Sequence, residues 1–186
     1  GKFQGSRIRI RTGVYLIEPE CVGASVAIDA ANYARKQIGA GSLSSVRIYD
    51  ETLKKKQQLE NEIVNGIDEA MQERRFEIFL QPKIALADGR IVGAEALVRW
   101  RTKEGDILPP DAFIPLCEAG GRIEDLDFYV FERVAEFLAR NRELGREQVP
   151  ISVNASILHA SDPQAVEKYL GIVKAEAAEV DRANAA

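Results

Sequence analysis

Phe76-Glu77-Ile78-Phe79-Leu80-Gln81-Pro82, followed after a short gap by Asp88-Gly89 and then Arg90-Ile91-Val92-Gly93-Ala94-Glu95-Ala96-Leu97-Val98-Arg99-Trp100, decides the fold class. Both apolar runs have the composition of strands, and Asp-Gly suits a tight connection because glycine supplies the positive φ that hairpin turns need. The two strands are therefore expected to run antiparallel. Beyond them the period changes. Pro109-Pro110 opens a helix that reaches about Glu118 and stops at Gly120-Gly121. Leu126, Tyr129, Val130, Val134, Phe137 and Leu138 recur at helical spacing up to about Gly145. Residues 149–153 are a short apolar strand ending at Asn154, and Asp162-Pro163 opens a last helix that runs into the alanine-rich stretch 175–186. A hairpin followed by alternating helices and strands indicates an α/β domain with a mainly parallel sheet.

Upstream, a charged helix starts at Asp50, a suitable N-cap, and extends to about Arg75. Its apolar positions Leu59, Ile63, Ile67, Ala70 and Met71 form one stripe, whereas Lys54, Lys55 and Lys56 stay solvated. This helix reads as the joint between two units. Before it, residues 8–17 alternate as a strand, with Arg7, Arg9 and Arg11 opposite Ile8 and Ile10. Residues 24–38 form a helix closing at Gly39, and residues 45–49 a short strand. The expected organisation is thus a first unit over 1–50, a connecting helix over 51–75 and a second unit over 76–186.

The formal net charge of −4 argues against a protein that grips a nucleic-acid polymer through its phosphates. It says nothing against a small phosphate ligand, which responds to local charge. Cys21 and Cys117 are the only cysteines, far apart and without metal-like spacing. They are expected to be small core residues in a reduced, cytoplasmic compartment. No apolar run approaches the roughly 18 residues that a membrane span needs. The N-terminus, Gly1-Lys2-Phe3-Gln4-Gly5-Ser6, lacks signal-peptide character and reads like the interior of a longer chain.

Four segments, in order, carry a resemblance: Leu80-Gln81-Pro82, Glu95-Ala96-Leu97-Val98-Arg99-Trp100, Pro110-Asp111-Ala112-Phe113-Ile114-Pro115 and Ser152-Val153-Asn154. Over residues 59–162 the chain resembles the EAL domain family. The resemblance implies a modified (β/α)8 TIM-type barrel with an antiparallel first strand, of which residues 76–186 would be the N-terminal half. It implies hydrolysis of cyclic di-GMP to linear pGpG with two divalent cations, Mg2+ or Mn2+, in bacterial signalling. The first fifty residues resemble the C-terminal end of a GGDEF domain, through Thr12-Gly13-Val14-Tyr15 and Asp29-Ala30-Ala31-Asn32-Tyr33-Ala34-Arg35-Lys36. The GGDEF signature itself does not occur, so cyclase chemistry is not expected. A sensory or GGDEF domain in the same polypeptide, and a homodimer, are the protein partners implied.

Within the resemblance, Glu95 and Asn154 match metal ligands, with Glu95 also the catalytic position, and both are expected toward the ends of their strands, where barrel enzymes assemble their sites. Gln81, Leu97 and Arg99 match substrate-binding positions. The residue types suit the chemistry. Two divalent cations lower the pKa of a bound water and neutralise phosphate charge, and such hard cations take carboxylate and amide oxygens. A guanidinium can clamp a phosphate with a two-pronged hydrogen bond that an ammonium cannot copy. Glu95, Leu97 and Arg99 are two apart and share one face of their strand. Gln81 joins that face only if its cross-strand partner is odd-numbered, which a strict two-residue Asp88-Gly89 loop would not give. A three-residue loop or a bulge is therefore expected.

Other polar residues have ordinary readings. Trp100 packs on a neighbouring helix, and His159 starts a loop or helix. Glu118 sits at a helix end, and Glu124, Asp125 and Asp127 form an acidic first turn. A complete (β/α)8 barrel takes about 250 residues, more than twice the length of chain beyond Phe76. The later motifs of the family are missing, and the alanine-rich end does not resemble the expected continuation. The chain is therefore expected to be inactive by itself. A non-catalytic cyclic di-GMP receptor or protein-interaction module is the alternative, and a self-assembling half-barrel with an open sheet edge is a third reading.

Overall fold

The computed structural model describes residues 10–17, 23–39 and 44–183. Arg7, Ile8, Arg9 and Cys21 lie outside the described residues. The chain divides into two units, Gly1–Glu62 and Ile63–Ala186.

In the first unit, β1 (Ile10–Val14) and β2 (Ser44–Ile48) pair in parallel, joined through α1 (Ala24–Lys36). β1 is shorter than the alternation suggests, ending at Val14 rather than Ile17. α1 buries Ala30 and Ala34 against the strands. Gly13 explains how closely they approach, because a Cβ there would lie 1.8 Å from the Ala31 carbonyl oxygen. The helix α2 (Glu51–Gln72) begins in this unit, and its N-terminus is capped as expected: Asp50 Oδ1 accepts from the Leu53 N–H at 2.9 Å.

The second unit starts within α2. Arg74, at φ 56°, terminates that helix in the left-handed region usually taken by glycine. The Arg75 N–H donates to the Ala70 carbonyl at 2.8 Å, closing a Schellman motif. Next come two strands, β3 (Phe76–Ile84) and β4 (Ile91–Arg101), then a two-residue β5 (Ile107–Leu108). α3 (Pro110–Ala119), α4 (Ile123–Glu143), β6 (Ile151–Val153) and α5 (Ala165–Ala183) complete it. A 3-10 turn at Ile157–Ser161 lies between β6 and α5. β4 is the central strand: it pairs antiparallel with β3 and β5 and parallel with β6, and the sheet is open among the described residues.

The hairpin is antiparallel as its sequence demands, and it contains a bulge. Ile84 pairs with Ile91 but Lys83 with Gly93, so Val92 is the extra residue. From there every pair keeps Gln81 opposite Glu95 and Phe76 opposite Trp100.

The even-numbered residues of β3 and β4 face the helices. Ile63, Ile67, Ala70, Phe76, Trp100, Phe113, Cys117, Ile123, Leu126 and Val130 form one buried cluster. Phe76, Trp100 and Phe113 are mutually in ring contact, with centroids 4.9 to 5.8 Å apart. Trp100 therefore packs as its sequence context suggests, and a Cβ added at Gly66 of α2 would lie 3.4 Å from its ring. Cys117 is fully buried, and burial pushes its thiol up to about 11. A thiol that stays protonated is a poor nucleophile. In a Cys21→Ser variant, Cys117 should therefore resist iodoacetamide at pH 8 in the folded protein and react within minutes in denaturant. Labelling at equal rates in both states would contradict its place in the core.

Candidate functional site

The odd-numbered face of the same strands carries the polar residues. Along β3 it presents Glu77, Phe79, Gln81 and Lys83, and along β4 Gly93, Glu95, Leu97, Arg99 and Arg101. Glu95 is flanked on one side by Gln81 of β3 and on the other by Ser152 of β6. Asn154 comes directly after the last residue of β6. Its amide Nδ2 donates to Glu95 Oε1 at 3.0 Å, joining residues 59 apart in sequence. The fold thus brings Glu95, Asn154 and Gln81 together.

Leu97 and Arg99 lie further along the same face. Leu97 pairs with Phe79, which is 46% exposed. Arg99 is four residues from Glu95, about 13 Å along a strand. Its Nη1 donates to the Val98 carbonyl oxygen at 2.8 Å, and its guanidinium lies 5.9 Å from the Phe79 ring centre. Next to it, Arg101 pairs with Glu77 across the strands, Nη2 to Oε2 at 2.9 Å, and this hydrogen bond holds the Glu77 carboxyl below the usual range. One sequence expectation needs correcting. Glu95 is not near a strand end but is the fifth of eleven residues in β4, because β3 pairs with β4 along its full length. Only Asn154 sits at a strand terminus.

The structure adds residues that the motifs did not single out. Lys83 Nζ donates to Ser152 Oγ at 2.7 Å, so an ammonium and a hydroxyl border Glu95. Lys83 is two residues from Gln81, and that spacing alone would have placed it on this face. Asp127 is a second correction. Instead of belonging to a solvated first turn, it is buried and accepts from the Ser156 N–H at 2.6 Å. Burial pushes its carboxyl above the usual range, opposed by hydrogen bonds from Ser156 and His159. The signal was present: Ile123, Asp127, Val130 and Val134 share the buried stripe of α4, so Asp127 occupies a core position.

Among the described residues no three His, Cys, Asp or Glu side chains cluster to hold a metal, and no helix is long and apolar enough to cross a membrane. Glu95 and Asn154 do fit a hard cation by donor chemistry, one as carboxylate and one as amide. The amide presents its nitrogen to Glu95, and a half-turn about its last torsion would present the oxygen.

The family profile described as "EAL domain" matches residues 64–182. The cyclic di-GMP phosphodiesterase NbdA of Pseudomonas aeruginosa is 33% identical over 124 residues, covering 67% of this chain and 16% of that protein. The probable cyclic di-GMP phosphodiesterase PdeB of Escherichia coli is 35% identical over 96 residues, covering 50% of this chain and 18% of that protein. The chain thus spans 16% to 18% of the length of these curated relatives. Among solved structures, the PaMucR phosphodiesterase in complex with c-di-GMP superposes with a TM-score of 0.57 at 23% identity, covering 62% of this chain and 47% of that one. The Xanthomonas citri FimX EAL domain in complex with c-diGMP gives a TM-score of 0.57 at 20% identity, covering 66% and 47%. The mixed α/β arrangement on which the Glu95 cluster stands is therefore the EAL fold, and the chain belongs to the EAL domain family.

Proposed function

We propose that this chain is part of a GGDEF-EAL type signalling protein whose EAL domain binds cyclic di-GMP and hydrolyses it to linear pGpG with Mg2+ or Mn2+. The observation that carries the reading is the 3.0 Å contact between Asn154 and Glu95, with Gln81 directly opposite. Glu95 and Asn154 would hold the cations, which supply charge neutralisation at the phosphate and an acidified water. Gln81 offers an amide to the nucleotide and Leu97 an apolar contact. Arg99 meets a phosphate by leaving the Val98 carbonyl, a neutral hydrogen bond exchanged for a charge-assisted one. The reading of residues 1–50 as the end of a GGDEF domain rests on the motif resemblance, and the β1-α1-β2 parallel unit is compatible with it.

The 186-residue chain itself is expected to bind cyclic di-GMP weakly and not to turn it over. Two cations each want about six oxygens, and Glu95 with Asn154 provides too few. Turnover by the purified chain in Mg2+ or Mn2+ would refute this. The wider reading is tested on a version extended to the complete barrel. Cleavage to pGpG supports the enzyme, binding without cleavage supports a receptor, and neither outcome would leave an interaction module.

Arg99→Ala in that extended domain should weaken binding. A charged hydrogen bond is worth roughly 1.5–3 kcal/mol, so affinity should fall about ten- to a hundredfold. Arg99→Lys should recover only part of this, since an ammonium keeps the charge but not the fork. Calorimetric titration with Ca2+ in place of Mg2+ measures both. Equal affinity of wild type and Arg99→Ala would mean that Arg99 stays on Phe79 and Val98.

A further inference from the structure

The segment carrying Asn154 has few restraints of its own. β6 is three residues long and its pairing with β4 ends at Val153, opposite Ala96. Asn154 is exposed and comes immediately after that last ladder residue. The next fixed point is Ser156, and it is fixed by another element. Asp127, in the second turn of α4, accepts the Ser156 N–H through Oδ2 at 2.6 Å, and the same oxygen lies 3.0 Å from His159 Nε2. The Asp127 and His159 side chains are only 11% and 7% exposed. The His159 ring packs against Phe128 of α4 and Tyr169 of α5, at 4.8 and 5.4 Å between centroids, so it is held against the carboxylate. Ser156 Oγ in turn accepts from the Leu158 N–H at 3.3 Å and caps the 3-10 turn. One buried carboxylate thus pins both ends of the 156–159 segment, and only Ala155 separates that anchor from Asn154.

A carboxylate at this depth is costly unless donors satisfy it, and here both donors come from the loop it restrains. We propose that Asp127 is a positioning residue for Asn154: by holding Ser156 and His159 it fixes the chain path that lays the Asn154 amide against Glu95. Its consequence for metal binding rests on the reading of Asn154 given above. The positioning itself does not, and it can be tested with neither cation nor nucleotide present.

The test is 1H–15N NMR on the labelled 186-residue chain, with the Asn154 side-chain amide assigned by its loss in Asn154→Ser. Three variants are compared with wild type. Asp127→Leu removes the acceptor but nearly preserves side-chain size. Asp127→Asn keeps one oxygen for the Ser156 N–H. Val130→Ala thins the core one turn further along α4 without touching the loop. In Asp127→Leu the two Asn154 amide protons should move to the positions of a free asparagine, and the Ser156 and His159 backbone amides should exchange at least about tenfold faster. Asp127→Asn should restore most of the wild-type pattern, and Val130→Ala should leave the Asn154 signals in place. The proposal is overturned if Asp127→Leu keeps the wild-type Asn154 signals, or if Val130→Ala shifts them equally. It is likewise overturned if Asp127→Leu fails to fold, since Asp127 would then serve stability rather than position. A domain inert toward cyclic di-GMP leaves these outcomes unchanged, so the two readings fail separately.

Discussion

Glu95→Gln in the complete domain is expected to abolish cyclic di-GMP turnover, with kcat falling on the order of a thousandfold or more, while the fold survives. Glutamine keeps the shape of the side chain, and its oxygen can still accept the Asn154 amide now 3.0 Å from Glu95. What it lacks is the charge that a divalent cation needs from its ligand. Glu95 is only partly buried and lies on the face away from the helices, so its packing contribution is small. Surface changes of this kind usually stay within about 0.5 kcal/mol, a shift of roughly 2 °C in melting temperature. Rate and melting curve measured on the same preparation decide the matter. A variant with wild-type kcat, or one that no longer folds, would return Glu95 to being an ordinary strand glutamate.

Phe113→Ala should be the most damaging single truncation in the second unit. Phe113 has no exposed surface, and its ring contacts both Phe76 and Trp100. Deleting it leaves a cavity bounded by two other aromatics on a sheet that cannot collapse inward, for which about 3–5 kcal/mol is the usual cost. Against a total stability of about 5–15 kcal/mol this is a large fraction. Trp100 is the only tryptophan, so its fluorescence reports this core alone. The urea midpoint should fall by about 2 M for an m-value near 2 kcal/mol/M. A drop below about 0.5 M would mean that α3 re-packs over the gap.

Most of the second unit was legible because its long elements announce themselves. The stripe of α4, the run of β4 and the Asp-Gly connection each repeat a period often enough to be read locally. The elements that escaped are too short for any period: β5 has two residues and the 3-10 turn five. They exist because β4 extends past its other partners and because Ser156 caps the turn, both consequences of tertiary structure. The site divides in the same way. Motif and face placed Glu95, Leu97 and Arg99 on one side of a strand, and the bulge at Val92 brought Gln81 to join them. What Arg99 touches, and which loop the inward-facing Asp127 meets 29 residues away, depend on side-chain contacts that no spacing encodes. At the end of α2 the local rule was broken outright, since Arg74 holds a conformation for which glycine is the usual choice.

The single extra residue at Val92 also governs which length changes the gene can absorb. One codon gained or lost near the tip of the hairpin, around residues 85–90, can be taken up in the loop without disturbing either strand. One codon lost at the bulge itself removes Val92 alone and leaves Ile84 opposite Ile91 and Lys83 opposite Gly93, whereas one lost between Phe76 and Leu80 cannot be absorbed. β4 is held to the helices by Ala94, Ala96 and Trp100, and β3 by Phe76, so after such a loss the rest of β3 would have to slide by one step. That slip would send Gln81 and Lys83 to the helix side and turn Leu80 and Pro82 toward Glu95. Two codons lost together would restore the original alternation. Tolerance to deletion within β3 should therefore alternate with the number of residues removed, and a deletion series there would show a rhythm of two that no substitution scan could reveal.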